Sequence, residues 1–169
     1  MKKLLLPFLL LVLGVSFASC QKDLSTLDDT VWSAVSYEDL FDGAAVFSDD
    51  VQGTVYPRYE DGELILYVSA WGWYTTYPYE PDEYKIVKYT DNELVIDLFY
   101  VEYTDVDKDD CTLIDTYRGK KIYMEEYLST DYYYYFKPNG VAVDLGFDTD
   151  YNGNTYYYDS SRLYCKRAI

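Results

Sequence analysis

The chain of 169 residues carries 30 acidic and 14 basic side chains, a formal net charge of −16, and no histidine. Such an excess of negative charge repels nucleic acid and anionic lipid, so no nucleic-acid partner is expected. The missing imidazole excludes histidine-dependent nucleophilic triads and histidine-ligated zinc, and no P-loop, dinucleotide-binding glycine motif or nucleophile elbow is present.

In chain order, Lys2 and Lys3 precede an apolar run from Leu4 to Val15, interrupted only by Pro7 and Gly14. The run is too short to span a membrane and has the plan of a secretory signal. It leads into Phe17-Ala18-Ser19-Cys20, which resembles the lipobox of bacterial lipoproteins, including those of the Bacteroidota. The resemblance implies a signal peptide over residues 1–19, lipidation of Cys20 and a membrane anchor in the cell envelope. The Lys22-Asp23 pair behind the cysteine is similar to a surface-export signal, which implies an outer-membrane lipoprotein displayed at the surface. One acyl chain holds only weakly, so firm anchoring needs a second lipid signal. Without residues 1–19 the chain has 12 basic and 30 acidic side chains, a charge of about −18. Residues 20–30 are mostly polar and read as a tether.

From Val31 the pattern is β throughout, and residues 31–169 read as one all-β domain. No window holds apolar residues at helical spacing; short runs rich in Val, Ile, Tyr, Phe and Thr alternate with turn residues. Expected strands are 31–37, 53–59, 63–70, 84–89 and 93–104, then 122–128, 131–137, 141–147, 155–159 and 162–167. The segment 122–128 also fits a helical turn. Turns are expected at Glu60-Asp61-Gly62, Thr90-Asp91-Asn92, Pro138-Asn139-Gly140 and Asn152-Gly153, the last as a two-residue hairpin. Strands joined so tightly are antiparallel and predict a meander closing into a barrel or a two-sheet sandwich. Leu94, Ile96, Leu98 and Tyr100 share one face; Val141, Val143, Leu145 and Phe147 make another apolar face.

The segment Leu27–Val35, through Leu27, Thr30 and Trp32, resembles the opening strand of small lipocalin-like domains in Bacteroidota lipoproteins. Tyr84, Ile86, Leu94 and Ile96 are similar to paired strands near the end of such domains. The resemblance spans about residues 27 to 121 and implies a barrel or half-barrel with an apolar pocket; it names no ligand.

Few residues offer chemistry. Glu102, Glu125 and Glu126 are the carboxylates to inspect for glycoside hydrolysis, against the simpler reading of solvated surface acids. The chain is therefore expected to bind or to serve structurally and not to catalyse, with a small molecule, a glycan or a protein as partner. Of its 23 tyrosines, most are expected in packing, since tyrosine favours strands and keeps its hydroxyl wet. Trp71, Trp73 and Tyr74 form the alternative, an aromatic platform for a surface glycan-binding lipoprotein. Asp148, Asp150, Asn152 and Asp159, with Gly153 between them, follow nearly the spacing of an EF-hand loop and are the leading calcium candidates, ahead of the acidic loop of Asp105, Asp107, Asp109 and Asp110, which has no glycine. Strand flanks favour an acidic hairpin tip instead, and no other cofactor is expected. With Cys20 lipidated, Cys111 and Cys165 either form one disulfide or stay as two separate thiols; spacing alone does not decide.

Overall fold

A computed structural model describes residues 22–69 and 76–168. Among them are thirteen strands: β1 (Trp32–Phe41), β2 (Ala44–Glu60), β3 (Glu63–Ser69), β4 (Tyr77–Tyr79), β5 (Tyr84–Tyr89), β6 (Glu93–Phe99), β7 (Glu102–Tyr103), β8 (Thr112–Tyr117), β9 (Lys120–Tyr127), β10 (Thr130–Phe136), β11 (Ala142–Thr149), β12 (Thr155–Tyr158) and β13 (Ser160–Arg167). All their pairings are antiparallel. The first sheet has the order β4-β3-β2-β1-β13-β6-β5 and curls into a half-barrel. The second runs β12-β11-β10-β9-β8, with β7 beside β11. The fold is all-β, as expected. The simple meander holds for the second sheet only, because β13 returns to the first sheet and slots between β1 and β6.

Tight hairpins set this order. Asp42-Gly43, Asp61-Gly62, Arg118-Gly119 and Leu128-Ser129 each place two successive residues at positive φ, the type I′ geometry whose twist matches that of the flanking strands. Three of the four end in glycine, where positive φ costs nothing. Leu128-Ser129 does not, and Leu128 is 83% exposed. The segment 122–128 is accordingly strand up to Tyr127, not a helical turn. Asp42-Gly43 also extends β1 and β2 into a longer hairpin than alternation predicted, because acidic residues interrupt the apolar pattern there.

Two cores result. Trp32, Val55, Leu66, Leu94, Ile96 and Leu163 are fully buried inside the curled sheet. Phe41, Ile122, Tyr135, Val143, Leu145 and Tyr157 form the second core. The β1–β2 hairpin contributes to both, through Trp32 and Val55 at its base and Phe41 and Val46 near its tip. On the outer face of the first sheet, Arg162 grips Asp97 through two hydrogen bonds of 2.7 and 2.9 Å. The four consecutive tyrosines of β10 split between faces: Tyr133 and Tyr135 join the second core, while Tyr134 is buried on the other side against Tyr103 and Phe136.

Residues 23–30, read from the sequence as part of a tether, pack against the first core. Asp23 caps a 3-10 helix, Leu24–Leu27, by accepting from the Ser25 N–H. Leu27 is fully buried in the first core. Thr30 donates to the Leu27 carbonyl at 2.5 Å and accepts from Trp32 Nε1 at 2.7 Å. Burial of Leu27 makes residues 23–30 a plug over the Trp32 end of the half-barrel.

Candidate functional site

At the other end of β1 the apolar filling stops. Tyr37 and Asp39 alternate onto the inner face of the curled sheet, opposite Leu163 and Ser161 of β13. Leu98 of β6 continues the row beyond Ser161. Here a cavity of about 590 Å³ opens, walled by Tyr37, Tyr77, Tyr79, Tyr100 and Tyr158 around Asp39. Val68, Leu98, Phe99 and Val101 complete its apolar lining, and Glu83 is its second acid.

Asp39 is only 5% exposed. Its Oδ1 accepts from Ser161 Oγ at 2.8 Å. Among the described residues no lysine or arginine pairs with it. Burial pushes its carboxyl up to about 6; the Ser161 hydrogen bond opposes this and the charge of Asp148 adds to it. Burial likewise lifts the Tyr37 phenol to about 12 and raises those of Tyr79, Tyr100 and Tyr158. Near neutrality these rings are therefore uncharged.

Tyr158 reaches the cavity because it pairs with Gly146. A Cβ at position 146 would lie 2.1 Å from Tyr158 Cε2, so the ring crosses β11 only over a glycine. There it meets Tyr100 edge-on, with ring centres 5.6 Å apart. The wall is thus assembled from both sheets.

A neighbouring cavity of about 770 Å³ shares Glu83, Phe99, Tyr100 and Val101 and lies toward the second sheet. It is also acidic: Asp97 pairs with Arg162, Glu102 with Lys137 and Asp42 with Lys120, Asp159 sits in a junction of backbone and side chains, and Asp82 is exposed. Asp39 is the buried acid that faces a cavity without a cationic partner.

The residues singled out from sequence fall elsewhere. Cys20, Trp71, Trp73 and Tyr74 lie outside the described residues. Cys111 and Cys165 are free thiols and form no disulfide. Cys165 is buried in the first core, where burial pushes its thiol up to about 12. Cys111 stands at the edge of the second sheet, its Sγ 3.5 Å from the Asp107 carbonyl. Cys165 lies in β13 of the first sheet, whereas Cys111 precedes β8 of the second. Glu125 lies opposite Tyr132, and Glu126 lies opposite Asp131 on an exposed stretch of the β9–β10 hairpin.

The calcium spacing does not become a cage. The loop is three residues wide, not two: Asp150 N–H donates to Asn154 O and Gly153 N–H to Asp150 O, both at 3.0 Å, with Gly153 alone at positive φ. This is a type I turn closed by a glycine bulge. The Asp150 carboxylate accepts from the backbone of Asn152 and Asn154, the Asn154 amide and the Tyr156 hydroxyl. Those bonds hold its pKa down at about 2. Asp159 sits beyond the far end of β12, about 13 Å of strand away. There its carboxylate accepts from Asp42 N–H and Tyr135 Oη, each at 3.1 Å, and from Ser160 Oγ at 3.0 Å. Its backbone joins Leu40 and Tyr100. Among the described residues no group of three or more acidic or thiol side chains converges as metal ligands would.

The cavity residues Asp39, Ser161, Tyr37, Tyr100 and Tyr158 were not singled out from sequence. The available hint was the parity of Tyr37 and Asp39 in one strand, and of Leu98 and Tyr100 in another. What gives these residues a common site is the pairing of β1 with β13, a separation of some 120 residues that local pattern does not encode.

Fold and cavity together define an all-β protein with a half-barrel whose open end is acidic and tyrosine-lined. No protein-family model matches the chain, and no curated protein or solved structure matches it significantly.

Proposed function

We propose that this chain is a lipid-anchored protein of the cell envelope that binds a small ligand and does not catalyse. The observation that carries the reading is the cavity at the open end of the half-barrel, where apolar and phenolic walls surround one buried carboxylate. A largely apolar hollow with few convergent polar groups is the usual form of a ligand site. The absence of histidine from the sequence favours binding over turnover. The sequence around Cys20 supports the anchor, with residues 1–19 removed as the signal peptide and the outer membrane as its location.

Two measurements test this. Cys20→Ser should abolish incorporation of a labelled fatty acid and release the protein from the membrane fraction. Binding at the cavity is read with the uncharged dye N-phenyl-1-naphthylamine. Its fluorescence should rise with the wild-type chain and fall with Val101→Trp, which places a large ring at the half-exposed cavity rim. Equal dye binding by both proteins overturns the cavity as the binding site.

A further inference from the structure

We infer that the cavity takes a small organic cation, a protonated amine, with its ammonium group against Asp39 and its carbon skeleton among the tyrosine rings. This rests on the reading of the cavity as a ligand site and specifies its chemistry. Among the described residues the lining contains two acids, Asp39 and Glu83, and neither lysine nor arginine. An anion would meet uncompensated repulsion there. A neutral sugar would leave the Asp39 carboxylate buried and unpaired, which a binding site does not favour.

The rings make the same choice independently of the acids. Five phenols and Phe99 line the cavity, and aromatic faces attract cations through their quadrupole, most strongly where water is excluded. Burial raises several of these phenols, so they remain neutral donors beside the ligand. Asp39 has a hydroxyl as its hydrogen-bond partner, and among the described residues no lysine or arginine pairs with it. An incoming ammonium would supply the missing countercharge and draw the carboxyl into its ionised form. The negative charge of the whole chain concentrates cations around the opening. A metal ion is a poorer fit, since no third acidic or thiol ligand converges among the described residues.

The test compares three probes of similar size on the full chain in detergent, by calorimetry at about 0.15 M salt: 2-phenylethylamine, 2-phenylethanol and 3-phenylpropanoate. The amine should bind about tenfold or more tightly than the alcohol, and the carboxylate should not bind, as expected for a charge-assisted contact. Asp39→Asn should remove that preference while leaving the alcohol unaffected. Asp61→Asn makes the same change in net charge at a remote hairpin turn and should leave the preference intact. Equal affinity for amine and alcohol, tighter binding of the carboxylate, or no binding of the amine overturns the cation inference. An equal loss in Asp39→Asn and Asp61→Asn overturns it too, since it would reduce the effect to bulk charge. The wild-type comparison needs no variant to fold. Dye binding that responds to Val101→Trp would still uphold the ligand site after any of these failures, so the two readings fall separately.

Discussion

Replacing Asp39 by Asn should make the protein more stable, and increasingly so as pH rises. In the unliganded fold, burial lifts this carboxyl from 3.8 to about 6. The folded protein therefore holds the proton more tightly than the unfolded chain does. As pH rises from about 4 to 6, the unfolded chain releases its proton first, and stability declines. Above the folded value the full cost of a buried carboxylate is present. The displacement corresponds to about 3 kcal/mol, an upper value because the carboxylate faces a cavity wide enough for water. Asn keeps the acceptor for Ser161 and does not titrate. The difference between variant and wild type should thus grow from near zero at about pH 3.5 to as much as 3 kcal/mol at about pH 7.5. At a slope of about 2 kcal/mol per molar, that is about 1.5 M in urea midpoint. Urea unfolding monitored by tryptophan fluorescence at several pH values measures it. The repulsion among the many other acids cancels to first order in the comparison. Among the described residues, Asp148, Glu83, Tyr37, Tyr77, Tyr79, Tyr100 and Tyr158 are the titratable groups around Asp39, and burial keeps the phenols of Tyr37, Tyr79, Tyr100 and Tyr158 neutral over this range. A difference that is flat with pH, or a variant that loses stability at high pH, would refute the buried-carboxylate argument.

Gly146→Ala should destabilise by about 1–3 kcal/mol through overpacking against the Tyr158 ring and weaken dye binding at the cavity; unchanged urea midpoints would show that the ring does not lie over residue 146. Asp159→Ala should cost about 2–3 kcal/mol by leaving Asp42 N–H and Tyr135 Oη without their acceptor, and about 2 mM calcium should leave the wild-type melting temperature unchanged. A rise of several degrees with calcium, abolished in Asp150→Ala, would restore the cage that the hairpin geometry removes. Leu128→Asn with Ser129→Gly should stabilise by about 1 kcal/mol, because both positions have positive φ and a two-residue turn favours Asn-Gly; a loss of stability would refute the assigned turn.

Local chemistry accounts for what was legible in advance. Alternation placed Leu94, Ile96 and Leu98 on one buried face, and it put Tyr100 on the same parity, where it lines the cavity. On β11 the same rule identified Val143 and Leu145 as core but also included Phe147, which is 49% exposed, because the second core does not extend along the whole strand. The edge strand β8 escaped notice since most of its residues are exposed, and a strand without a buried face shows no period-two signal. Four ligand-like residues in twelve suggested calcium; the turn type, set by hydrogen bonds between Asp150, Gly153 and Asn154, separated them.

The amino-acid sequence by itself determined the class: β-branched and aromatic runs divided by Asp-Gly and Asn-Gly turns can only pair as antiparallel strands, and an acidic chain without histidine excludes whole families of chemistry. Only the tertiary structure decided where the acid with an open partner lies. Asp39 is one of 30 acidic residues until β13 returns from the far end of the chain to pair with β1. Pairing between distant strands depends on how two faces are buried together, a property of the assembled sheets that no short stretch of residues contains.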